Sequence, residues 1–187
     1  MFGLLQVVII GIGLAMDAFA VSVSKGLSVQ RLRPRHVLCV GLWFGVFQGL
    51  MPLLGYELSH SFAHYVENID HWVAFGLLLL IGVNMIRETL SGDDDDEGGS
   101  DFGFRTMLLM AIATSIDAFA VGVSFAVMNI SIWSAAAIIA LITMLISAIG
   151  IYLGAHVGAK IGSKAGVVGG VILIAIGVNI LVEHLAV

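Results

Sequence analysis

Asp17-Ala18-Phe19-Ala20-Val21-Ser22-Val23-Ser24 returns as Asp117-Ala118-Phe119-Ala120-Val121-Gly122-Val123-Ser124, changed only where Gly122 stands for Ser22. Both copies lie inside long apolar runs, and both open on an acid. A carboxylate at the centre of a membrane helix costs roughly 2.5–3.5 kcal/mol on insertion scales, so it is rarely kept without a task. Two acids at matching places in duplicated helices point to a pathway for cations.

The composition supports the membrane setting. Hydrophobic residues make up 59% of the 187 residues and charged residues 11%, with a mean hydropathy of +1.07. Soluble domains are about half apolar and a quarter charged. The formal charge of −5 says little about partners, because five of the 13 acids sit in one stretch, Asp93-Asp94-Asp95-Asp96-Glu97. Nothing basic and aromatic suggests nucleic acid. One cysteine, Cys39, excludes an internal disulfide and any multi-thiolate metal site. The first apolar run has no Lys or Arg before it and contains Asp17, so it reads as a retained helix and not a signal peptide.

About 20 apolar residues cross a bilayer core. Six segments qualify, at roughly 4–24, 36–56, 71–87, 106–126, 132–154 and 165–185, and Tyr56, Trp72 and Trp133 fall near their ends. The fold class is therefore an all-α integral membrane protein with six transmembrane helices. Every Lys and Arg (Lys25, Arg31, Arg33, Arg35, Arg87, Arg105, Lys160, Lys164) falls on one side of such a topology. The positive-inside rule puts that side in the cytoplasm and both termini outside.

The duplication continues beyond the octapeptide. Ile81-Gly82-Val83-Asn84-Met85-Ile86 matches Ile176-Gly177-Val178-Asn179-Ile180-Leu181, Glu88 matches Glu183, and Pro52-Leu53-Leu54-Gly55 weakly matches Ile151-Tyr152-Leu153-Gly154. Each half has an odd number of spans, so the second enters the membrane from the opposite side. The expected architecture is a three-plus-three inverted repeat, with residues 1–90 and 105–187 as the two halves of one membrane domain. Residues 91–104 form an acidic cytoplasmic linker, read as solvated and flexible or as a loose attractor for divalent cations. Inverted repeats recur in secondary transporters, with the binding site at the repeat interface near midplane.

Around each acid the helix face is small or hydroxylated: Gly13, Asp17, Ala20, Ser24 in one half and Ala113, Asp117, Ala120, Ser124 in the other. Small residues let helices approach closely in lipid. Spans one and four are expected to cross with Asp17 and Asp117 facing a shared cavity. Asn84 and Asn179 can each add a neutral carbonyl oxygen or serve as interhelical glue. Gln48, Ser24, Ser124, Thr114 and Ser115, with Thr143 and Ser147, are candidates for lining the pathway. Glu88 and Glu183 read as vestibule acids or ordinary polar helix ends. Carboxylate, amide and hydroxyl oxygens suit Mg²⁺, Ca²⁺ and Mn²⁺, whereas Cu(I) and Zn²⁺ prefer sulfur or imidazole. All six histidines fall in loops or at span ends, His60, His64 and His71 beside Glu67 and Asp70 on the outer side.

The paired Asp-Ala-Phe-Ala motifs, Phe44-Gly45-Val46-Phe47-Gln48, Met51-Pro52-Leu53-Leu54-Gly55, Ala113-Thr114-Ser115-Ile116-Asp117 and the acidic mid-chain loop resemble the bacterial manganese efflux pump (MntP) family. The resemblance covers essentially the whole chain. It implies Mn²⁺ export across the inner membrane, with the family's membrane acids at Asp17 and Asp117. Some relatives have an acid where this chain has Gln48, which bears on the charge of the site.

On this reading Mn²⁺ is a transported substrate and no resident cofactor is expected. Two close carboxylates left without metal repel and take up protons, so metal and protons compete for the same oxygens. Exporting a double charge against an inside-negative potential costs about 4.6 kcal/mol per 100 mV, and exchange for two protons removes that cost. No GxxxxGK[ST] loop is present, so ATP drive within the chain is not expected. No nucleophile–base constellation appears at either face, so the chain is expected not to be an enzyme. Competing readings are an exporter of another divalent cation such as Ca²⁺, an exporter of a small cationic amino acid, and a scaffold whose acids lock helix pairs.

Overall fold

A computed structural model describes residues 4–29, 31–66, 102–127 and 131–161, together with 75–76, 79, 82–83, 86–87, 90, 167–169, 171–172, 174–176, 178 and 182. Five helices order the chain: α1 (Leu4–Leu27), α2 (Pro34–Val66), α3 (Phe104–Ala113), α4 (Ile116–Val127) and α5 (Ile132–Ile161). Among the described residues all regular structure is helical. The helices α1, α2 and α5 are each long and apolar enough to cross a membrane, and α3 with α4, the expected fourth span, meets the same test only as a pair bent by 46°. Most of the expected spans three and six, and residues 91–101 of the linker, lie outside the described residues.

The helices are apolar on their outer faces as well as inside. Leu141, Leu145, Ile149, Leu153 and Val157 form an exposed stripe along α5, and Leu38, Leu42, Val46, Leu50 and Leu54 form another along α2. Continuous exposed stripes of this kind are stable against lipid and a liability in water.

Consecutive helices are not the main packing partners. α5 packs along both α1 and α2, and α4 packs along α2, whereas α1 and α2 touch little. Gly11 meets Ile139 and Ile142, and Gly158 meets Leu27, so α1 and α5 run parallel. Gly41 meets Met144, and Gly49 meets Ala136 and Ala140, so α2 runs antiparallel to α5. The extended partners thus come from opposite halves of the chain.

Glycine makes the closest of these approaches. A Cβ at Gly26 would stand 2.5 Å from the Ile151 carbonyl oxygen, and one at Gly154 would fall on the Val23 carbonyl. In the other pair, a Cβ at Gly55 would fall on the Phe119 carbonyl and one at Gly122 on that of Pro52. The single difference between the octapeptides follows from this contact. Ser22 is tolerated because the facing residue is Gly150, whose absent Cβ would lie 2.9 Å from the Ser22 Cβ. Gly122 faces the backbone of Pro52 and has no such room.

The bend in the fourth span also has a local cause. α3 ends at a C-cap, Thr114, with φ −84° and ψ −1°, and the Ser115 N–H turns to the Ile112 carbonyl three residues back, at 3.1 Å. The Thr114 hydroxyl donates to Met110 O (3.0 Å) and Ala111 O (3.3 Å), and that of Ser115 to Ala111 O (2.6 Å). Hydroxyls that take carbonyls from the preceding turn bend membrane helices. Leu14 and Ala15 occupy the counterpart positions in α1, and α1 runs through without a break.

The basic helix ends gather at one end of the bundle. Lys25, just beyond the expected first span 4–24, lies in the last turn of α1 and is buried, its ammonium 5.2 Å from the centre of the Phe102 ring. His36, in the first turn of α2, stacks on that ring at 4.6 Å. Pro34 opens α2, where its missing N–H would have been unpaired anyway.

Gly122→Ser, which restores the octapeptide, is expected to destabilise the protein by about 1–3 kcal/mol through overpacking against Pro52. Thermal unfolding in detergent measures this. Gly13→Ala, where a Cβ meets nothing within 4 Å, should leave the midpoint unchanged or raise it. The double change Thr114→Ala/Ser115→Ala should straighten the fourth span. Spin labels at Arg105→Cys and Ser124→Cys, in a Cys39→Ser background, would then move apart by about 2 Å at 1.5 Å rise per residue.

Candidate functional site

Both acids lie on helices held by cross-half contacts, and both are half-buried. Asp17 is in the middle of α1. Asp117 is in the first turn of α4, immediately after the break, and its Oδ1 accepts a hydrogen bond from the Ala118 N–H at 2.8 Å. A carboxylate in a helix's first turn is stabilised by the unpaired N–H groups and dipole there. The two acids therefore differ in setting, one on an unbroken helix and one at a helix start.

Their neighbours converge. Ala18, next to Asp17, belongs to a buried apolar cluster with Met110, Ala111 and Ala113, the last turn before the break. Leu14, one turn before Asp17, belongs to a second cluster with Ala118 and Phe125 from α4. Residues of α1 and of α3 and α4 thus share these clusters without an extended crossing, since α5 and α2 are the long-range partners of α1 and α4.

The expected lining residues separate into three groups. Ser24, one face with Asp17, is buried and donates to Gly169 O at 2.7 Å, which ties α1 to the sixth segment. Ile176 of that segment packs against the cluster containing Ala18. Thr114 and Ser115 are buried and bonded within the fourth span, while Ser124 is exposed and donates to Ala120 O at 3.1 Å. Gln48 is fully buried, and its Nε2 donates to the Leu14 carbonyl at 3.1 Å. The amide thus reaches α1 one turn from Asp17.

Asn84, Asn179, Glu88 and Glu183 lie outside the described residues, as do Glu67, Asp70 and His71. Among the described residues there is no group of three or more His, Cys, Asp or Glu side chains arranged to hold a metal. Of the described residues, the side-chain oxygens nearest along the chain to the acids are the hydroxyls of Ser22 and Ser24 and of Thr114 and Ser115, all of them bonded to backbone carbonyls. The break beside Asp117 was not expected from the sequence. Its signal was present in the adjacent hydroxyls Thr114-Ser115, where the first half has Leu14-Ala15.

Comparison with known proteins places the chain. The family described as "Putative manganese efflux pump" matches residues 31–181. A protein of Mannheimia succiniciproducens titled "Putative manganese efflux pump MntP" is 50% identical over 177 residues, covering 94% of each chain. Proteins of the same title are 48% identical over 183 residues in Bifidobacterium adolescentis (97% of each chain). Another, in Campylobacter jejuni, is 48% identical over 180 residues (96% of each chain). No solved structure matches. Joined to apolar helices that pack across the two halves, with an acid in each, these similarities show that the chain belongs to the manganese efflux pump family.

Proposed function

We propose that this protein is a secondary transporter that exports Mn²⁺ from the cytoplasm by proton antiport. The metal binds between Asp17 and Asp117, with Asn84 and Asn179 completing an oxygen shell. The observation that carries the reading is the convergence around the acids: residues flanking Asp17 pack into the same buried clusters as residues flanking Asp117, on both sides of the break. The relatives' titles name manganese as the substrate of those proteins. The ligand chemistry agrees, because carboxylate and amide oxygens suit Mn²⁺.

The orientation follows from the basic helix ends, which are cytoplasmic in a six-span, inverted three-plus-three arrangement in the inner membrane. Cross-half packing supports that arrangement, since α1 on α5 and α4 on α2 are the contacts that exchanging the halves would interchange. A bound metal holds both carboxylates ionised. Its release leaves two like charges in a poorly solvated place, and protons neutralise them. Two protons then return the charge that one Mn²⁺ carried out, so export is not opposed by an inside-negative potential.

Purified protein in liposomes, with an imposed pH gradient and a panel of Mn²⁺, Ca²⁺, Mg²⁺ and lysine, tests the proposal. Mn²⁺ flux coupled to the gradient is expected, and Asp17→Asn and Asp117→Asn should each abolish it while still inserting. Full activity in both variants would make the acids structural, and transport of lysine or Ca²⁺ alone would replace the substrate.

A further inference from the structure

α2 and α5 come together at Gly45, where an added Cβ would stand 2.9 Å from the Ala140 carbonyl oxygen. Beside that contact lies an open groove of about 260 Å³ between the two helices. Gly45, Ala137 and Ala140 line it with small residues, and Leu42, Val46 and Leu141 flank it with large, half-exposed ones. Every side chain that lines the groove is apolar. Small residues in lipid commonly mark a seat for another helix. Here the larger side chains stand out on both sides and hold a helix, about 10 Å across, away from them. A slender hydrocarbon chain fits where a helix does not.

The groove leads toward a basic end. Arg35 shares a face of α2 with Leu42 and Val46, which follow it by seven and eleven residues. At 1.5 Å per residue they lie about 10–17 Å from Arg35. That matches the depth of one leaflet, about 15 Å of a hydrocarbon core about 30 Å thick. Arg31, Arg33 and Arg35 are all exposed. No acid stands between Asp17 and Glu57, and none occurs in α5. The antiparallel register of Gly41 with Met144 and Gly49 with Ala136 brings Arg35 level with Gly150, two residues before Tyr152. Tyr152 is exposed, eleven residues beyond Leu141 on the same face of α5, and its ring lies 4.2 Å from that of His156. Exposed tyrosines of membrane helices sit at the headgroup layer, which places Arg35 there too.

We propose that the α2–α5 groove binds one acyl chain of an anionic phospholipid whose phosphate is held at Arg35. Arg31 and Arg33 add positive charge at that end of the site. The two features together select the ligand. Apolar walls alone accept any lipid tail, and exposed arginines alone attract any anion. In combination they fit a molecule that carries a negative head one leaflet's depth from the end of its chain. Basic sites at the ends of membrane helices are known recognition points for anionic headgroups. Bound there, the lipid braces α2 against α5, a contact between the two halves of the chain. The site is independent of the transport reading, because neither Asp17 nor Asp117 takes part in it.

Native mass spectrometry of the full chain released from detergent, with phosphatidylglycerol and phosphatidylcholine added in equal amounts, tests this. One retained phosphatidylglycerol per chain is expected, with several-fold less phosphatidylcholine. Arg35→Gln and Ala137→Leu, both at exposed positions, should each cut that retention several-fold. Arg105→Gln, in the first turn of α3, should leave it unchanged. Glycerol phosphate, which has the head without the chain, should not displace the lipid. Equal retention of the two lipids would overturn the headgroup contact, and full retention in Ala137→Leu would overturn the groove. Equal losses in Arg35→Gln and Arg105→Gln would overturn the site in favour of diffuse charge attraction. A lipid-free dimer that Ala137→Leu breaks would overturn it in favour of a second copy of the chain.

Discussion

Backbone contact between helices of opposite halves is the constraint on which the rest of this structure depends. In lipid there is no hydrophobic gain from bringing apolar helices together, so association rests on close packing and internal polar bonds. Gly26 against Gly154 and Gly55 against the Phe119 carbonyl provide that packing. They bind α1 to α5 and α4 to α2 within a residue or two of the octapeptides. The depth of each acid is thereby set by a helix from the other half.

The two halves are not equivalent in the structure, and the difference is local. Thr114 and Ser115 divert carbonyls of the preceding turn and bend the fourth span, which leaves Asp117 in the first turn of α4. Leu14 and Ala15 have no groups that could do this, and α1 stays whole. A straight acid-bearing helix beside a bent one gives a two-acid site unequal partners. Gln48 adds to the inequality by bonding the Leu14 carbonyl on the straight side only.

Much of this was legible in the residues. The apolar runs gave α1, α2 and α5 nearly their observed starts, because lipid-facing and core-facing positions are both apolar and the pattern simply ends where charge begins. Their ends were less legible. α2 continues past position 56 to Val66 and α5 past 154 to Ile161, since helices can extend beyond the apolar core at no cost. The break at Thr114 is not legible in the apolar run, because side-chain polarity along a run carries no sign of competition for backbone carbonyls. Lys25 lies just past the apolar run 4–24, yet its long stem lets the helix continue through it while the ammonium settles over Phe102 at the helix end. Thr143 and Ser147 could be guessed as lining but not as buried hydroxyls without a hydrogen-bond partner, because that depends on which neighbours tertiary packing supplies.

The central claim is that one acid from each half holds one divalent ion. Counting Mn²⁺ bound by purified protein, from the loss of the free-ion EPR signal on titration, tests it most directly. The account predicts one Mn²⁺ per chain in the wild type and none at comparable concentration in either Asp17→Asn or Asp117→Asn. Undiminished stoichiometric binding in the double variant Asp17→Asn/Asp117→Asn would contradict it.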